Sequence, residues 1–86
     1  MPHITVNPDP CYIGDFVTIC YVPVTGVAYV DVTWYGNAGV PIGGVGLRLT
    51  EAQPCVTIKV PDGADHGLVE DEGNQAQDAL IKVFHP

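Results

Sequence analysis

Basic side chains are nearly missing from this chain. Arg48, Lys59 and Lys82 stand against ten acids, for a formal net charge of −7 over 86 residues. Nucleic-acid binding needs a basic footprint, and three dispersed cations supply none. Attraction to an anionic membrane is excluded on the same ground. Charge of either sign is scarce as well: 15% of residues, with 47% hydrophobic, where a typical soluble domain has about 25% charged. Much of the surface must then be apolar or uncharged polar, which suits a packed assembly better than a solitary monomer.

Other absences narrow the chemistry. No stretch carries apolar residues at helical spacing over three turns, so no long helix is expected. No apolar run is long enough to span a bilayer. The chain opens Met1-Pro2-His3 and enters a strand at Ile4 with no basic segment leading into an apolar one. No signal peptide is therefore expected, which leaves a complete chain made in a cytoplasm or a domain cut from a longer secreted protein. The run from Gly39 to Gly46 (G-V-P-I-G-G-V-G) lacks the Lys-Ser/Thr and the helix that a phosphate loop requires. It reads instead as an edge segment or a flexible, adaptable loop. His3, His66 and His85 show no metal-ligand spacing, so no zinc site is expected. No nucleophile stands beside a base in the manner of a hydrolase. The chain is expected to be a non-enzyme that needs no cofactor.

What the chain does contain is alternation. In Val27 to Gly36, Val30, Val32 and Trp34 fall on one side of an extended strand, and Tyr29, Asp31, Thr33 and Tyr35 on the other. Trp34 is the only tryptophan. A ring of that size needs a second layer across from it, which implies a sandwich. The core is expected to gather Trp34 with Tyr21, Val32, Ile58 and Ile81. Further strands are expected over His3 to Val6, Asp15 to Val22, Cys55 to Val60, His66 to Glu70 and Ala79 to Phe84, with a short one through Val45, Leu47 and Leu49. Val56, Ile58 and Val60 should point inward, and Cys55, Thr57 and Lys59 outward. Thr50 to Pro54 reads as a turn or a single helical coil. Seven or so short strands separated by turn signals predict an all-β, immunoglobulin-like β-sandwich over residues 1–86, a single domain. A chain of this length buries only roughly 60–65% of its unfolded surface, so the core should be lean.

Three stretches carry a family resemblance as well. Gly14-Asp15-Phe16-Val17-Thr18-Ile19 resembles the opening of the second strand of immunoglobulin-like domains. Val32-Thr33-Trp34-Tyr35, followed by Asn37, Gly39 and Ile42, resembles their third strand and its turn. Val69-Glu70-Asp71-Glu72-Gly73-Asn74, with Ile81 and Val83, resembles the last hairpin of the bacterial and phage repeats. The resemblance covers most of the chain and departs at one point. Antibody-type domains place inward cysteines on the second and sixth strands. Here the matching inward position is Tyr21, Cys20 faces out one residue earlier, and the last two strands have no cysteine. No core disulfide between the sheets is therefore expected.

The three cysteines leave at least one thiol that cannot pair within the chain. In the inferred topology the second and fifth strands are antiparallel neighbours, so Cys20 and Cys55 can meet on the outer face. Three free thiols in a reducing cytoplasm is the other reading. Cys11 follows Asn7-Pro8-Asp9-Pro10 in what reads as an exposed turn, which makes it the candidate for a bond to another molecule. The acids Asp62, Asp65, Glu70, Asp71, Glu72 and Asp78 suggest a solvated acidic rim rather than calcium loops, because the EF-hand spacing is absent. Tyr12, Tyr29 and Tyr35 are an alternative sugar-stacking platform. Val40, Ile42 and Val45 are the candidate docking residues: apolar anchors in a glycine-rich, uncharged segment expected to be the most irregular of the chain.

The resemblance implies a virion structural protein, a capsid decoration (cement) protein of a tailed phage that docks in many copies on the shell. Its partners would be capsid or other virion subunits, and further copies of itself. The alternative is an immunoglobulin-like module of a secreted bacterial protein at the cell surface, an adhesin repeat or a carbohydrate-binding accessory domain.

Overall fold

The computed structural model describes residues 1–84, so His85 lies outside the described residues. Seven strands follow one another: β1 (His3–Asn7), β2 (Phe16–Val22), β3 (Val27–Tyr35), β4 (Pro41–Thr50), β5 (Cys55–Lys59), β6 (His66–Asp71) and β7 (Ala79–Lys82). They form two antiparallel sheets, ordered β1-β2-β5 and β4-β3-β6-β7. Strands one, two and five against three, six and seven is the immunoglobulin-like arrangement, here with β4 added beside β3.

Six of the seven strands begin within a residue of where the alternation puts them, although β7 stops at Lys82 and not at Phe84. Along β2, Val17, Ile19 and Tyr21 are buried while Phe16 and Val22 are exposed. Along β3, Val30, Val32 and Trp34 are buried. The pairing of Val32 with Val69 and Val45 keeps one apolar face through the larger sheet, as a period of two requires. Of the expected core, Trp34, Tyr21, Val32 and Ile81 are buried. Ile58 is corrected to half-buried. It points inward, but β5 is a sheet edge with no neighbour to close its open side.

The segment from Val40 to Leu49 is corrected more sharply. It is not irregular: β4 runs for ten residues, more than any other strand. Its partner is the equally regular β3, paired from Val27↔Thr50 to Tyr35↔Pro41 with one bulge near Trp34. The glycines lower strand propensity, yet the long ladder with β3 overrides it. The edge reading holds, since β4 borders the larger sheet. The Thr50 to Pro54 connection is a tight turn, with Thr50 and Gln53 exchanging both backbone hydrogen bonds at 3.1 Å; no helical coil forms there.

Trp34 is accommodated by glycine. Its neighbours across the sheet are Gly43 on β4 and Gly67 on β6. A Cβ on Gly67 would sit 2.8 Å from the indole ring and 3.2 Å from Ile81 Cδ1, closer than packed carbons tolerate. Gly67→Ala is therefore expected to destabilise by about 1–3 kcal/mol through overpacking, measured as a fall in the urea midpoint at unchanged slope. An unchanged midpoint would show that the ring is free to move aside.

Candidate functional site

Cys20 and Cys55 are register partners on β2 and β5, with Cα atoms 4.1 Å apart, and they form a disulfide. The bond lies on the outer face of the smaller sheet and joins neighbours within it, so no disulfide crosses the core. Beside it Thr18 and Thr57 share a hydroxyl hydrogen bond at 2.9 Å. Closing a separation of 35 residues restricts the unfolded chain, a stabilisation of roughly 3–4 kcal/mol in the loop-entropy account.

Cys11 is corrected. It is 0% exposed, so no neighbouring molecule can reach its sulfur. The chain leaves the double-proline turn and lies parallel to β7, bridging Cys11 to Val83. Its N–H donates to Lys82 O at 2.9 Å, its thiol donates to the same oxygen at 3.3 Å, and Phe84 N–H donates to its carbonyl at 2.7 Å. Burial first, then the nearby Asp15 and Asp9 carboxylates, push the thiol pKa up, against a smaller opposing effect of a backbone hydrogen bond. A buried, protonated sulfur is a poor nucleophile.

The acidic rim also needs correction at one residue. Asp71 is buried at the inner end of β6. Its Oδ2 accepts from the Tyr21 hydroxyl at 2.7 Å and from the N–H groups of Gln75 and Ala76 at 2.9 and 3.0 Å; Oδ1 accepts from Gly73 N–H at 3.0 Å. Burial alone would raise this carboxyl, but those four donors outweigh it and hold the pKa below the ordinary value. The same burial, then the bond to Asp71 and its negative charge, push Tyr21 up to about 12. Tyr21 on β2 and Asp71 on β6 thus tie the two sheets where antibody-type domains use a disulfide. They form one wall of a cleft of about 340 Å³ that also touches Tyr29, Val27 and Gln75. Each polar atom of the pair is already engaged, so its role there is structural.

The tyrosines do not converge. Tyr12 packs edge-on against Phe84 at 5.3 Å, and Tyr35 stacks on His66 at 5.0 Å. Tyr29 stands at the other end of β3 from Tyr35, about 20 Å away at strand rise. They form no common platform. Among the described residues no group of three or more His, Cys, Asp or Glu is placed to hold a metal ion.

The candidate docking residues are exposed: Ile42 (48%) and Val45 (41%) lie on the β4 edge, and Val40 (59%) precedes it in the turn from β3, where its carbonyl accepts from Gly36 N–H. Val45 points inward, opposite Val32, but β4 overhangs the smaller sheet and leaves it uncovered. The outer face of the same strand offers Gly44, Gly46 and then Arg48, each in register with Thr33, Asp31 and Tyr29. Gly44 is obligatory, since a Cβ would fall 2.7 Å from Val32 O. Between Thr33 and Thr50 the chain has no acid. The edge therefore offers unpaired backbone donors and acceptors, apolar side chains and one cation, a surface chemically suited to another polypeptide strand. No known family model, no curated protein and no solved structure matches this chain.

Proposed function

We infer that the protein is a virion structural protein, a capsid decoration protein of a tailed phage that docks in many copies on the shell. The observation that carries this reading is the β4 edge, long, acid-free and exposing Ile42 and Val45, with Val40 exposed in the turn just before it. A net charge of −7 favours solubility and directs contact to the stretch without acids. The low overall charge and the likeness of three stretches to phage immunoglobulin-like repeats support the same reading. Such a protein acts by adding contact area and has no need of catalytic groups. The test is quantitative mass spectrometry of gradient-purified particles from a phage lysate that encodes this chain. A stoichiometric band of the protein in intact particles is the expected result; its absence from particles, with the protein free in the lysate, would refute the assignment.

The Cys20–Cys55 disulfide favours the second reading, an immunoglobulin-like module of a secreted bacterial protein, because disulfides persist in oxidising surroundings. A virion released from its host meets the same surroundings. The discriminating observation is the gene: a short frame beside capsid genes, or one module in a long secreted frame.

A further inference from the structure

A sheet edge is a template for another strand, and folded proteins protect their edges by shortness, proline, lysine or cover. Three of the four edges here are protected so. β1 has five residues and is bounded by Pro2 and Pro8; β5 has five, bounded by Pro54 and Pro61, and carries Lys59; β7 has four, carries Lys82 and is covered by the Cys11 segment. β4 has none of this beyond a proline at its first residue. It is ten residues long and carries a single charge, Arg48.

The outer face beside it is charged in a complementary way. Asp31 on β3 stands directly opposite Glu70 on β6, and like charges at that position destabilise a sheet unless a cation intervenes. Neither acid has an ion-pair partner among the described residues, and neither does Arg48. The strand between Asp31 and solvent is Gly44-Val45-Gly46, whose glycines leave a shallow depression of about 420 Å³ running from the free edge to the two carboxylates.

We propose that β4 pairs antiparallel with β4 of a second copy, giving a two-fold dimer in which each Arg48 crosses the other copy's glycine lane to its Asp31 and Glu70. An isologous contact requires a surface complementary to itself, and this one is. A two-fold axis perpendicular to the sheet keeps outer faces together. Set through Leu47, it places each Arg48 opposite the partner copy's Gly46; set through Gly46, opposite Gly44. In the first register Arg48 and Asp31 have Cα atoms two strand spacings apart, about 10 Å, with no side chain between them. Both registers also cover the overhanging Val45. This proposal rests on reading β4 as the docking surface and names its occupant.

The experiment is sedimentation equilibrium of the purified chain from micromolar to millimolar concentration, on the wild type and three variants. Gly46→Lys fills the lane from within the same chain, at a position where a Cβ would meet Asp31 Oδ1 at an ordinary 3.6 Å. Arg48→Glu reverses the crossing charge, and Arg48→Glu with Asp31→Lys exchanges it. Circular dichroism and thermal melting establish that each variant is folded. The wild type is expected to dimerise, and each single variant to weaken association at least about tenfold, since every lost contact occurs twice. The double exchange should regain most of the loss. A wild type that stays monomeric throughout, or a dimer indifferent to both single variants, overturns the proposal. If the wild type is monomeric but Gly46→Lys abolishes incorporation into particles, the occupant is wrong and the docking surface stands. If the dimer responds as expected while particles lack the protein, the dimer stands and the virion assignment fails.

Discussion

Replacing Asp71 by alanine is expected to lower stability by about 3–5 kcal/mol, the loss of several hydrogen bonds to a buried carboxylate. The loss has two parts. Four donors lose their acceptor, and the Tyr21 hydroxyl is left buried without a partner. The connection between the sheets at that end of the sandwich goes with it. The pair also dictates a pH profile. The Asp71 carboxyl is held below its ordinary range, so its contribution is complete above the unfolded value of about 4 and drains away as pH falls through the folded one. Tyr21 has the opposite sign: raised to about 12 from 10.0, it stabilises fully below pH 10 and progressively less as pH climbs to about 12. Urea unfolding across pH should give a plateau bounded by these two limbs. Asp71→Asn should lose the acid limb and Tyr21→Phe the alkaline one. An acid limb that survives in Asp71→Asn would assign it to other carboxylates.

Trp34→Ala should cost a similar amount, about 3–5 kcal/mol, a large share of the stability of a domain this small. The ring lies in the core between the sheets, with glycine on both flanking strands. Alanine would leave a void beside Gly67, which has no side chain to move into it. Thermal unfolding by near-ultraviolet dichroism of the variant would show the loss. A cooperative transition within a few degrees of the wild type would mean that the ring contributes little.

Period-two alternation is a robust signal because a slip of one residue inverts every side chain. It placed β2, β3, β5 and β6 in the sequence, and from their order the meeting of Cys20 with Cys55. The regularity of β4 was illegible, because glycine reads as a loop signal while the pairing that overrides it comes from β3. The burial of Cys11 is illegible for a similar reason: it depends on a parallel bridge to Val83, 72 positions away in the chain, which no local pattern records. The burial of Asp71 is legible in the sequence, contrary to its reading as part of a solvated rim. It shares parity with Gly67 and Val69 on the inner face of β6, and across the core the same face of β2 has a tyrosine. An acid on an apolar face opposite a lone hydroxyl is a pair in the making. Val40, Ile42 and Val45 stand out in the sequence as uncharged apolar residues in a glycine-rich segment; that Ile42 and Val45 lie on a free sheet edge is visible only in the fold.

Amide hydrogen exchange along β4 tests docking through that edge most directly. It is measured on dilute protein, on concentrated protein and on purified particles carrying the chain, with β3 as internal reference. Docking through β4 predicts slowed exchange in Pro41–Thr50 on assembly, concentrated in the alternate N–H groups that face away from β3, with β3 unchanged. Equal exchange in β4 under all three conditions, with protection appearing on another strand, would contradict it.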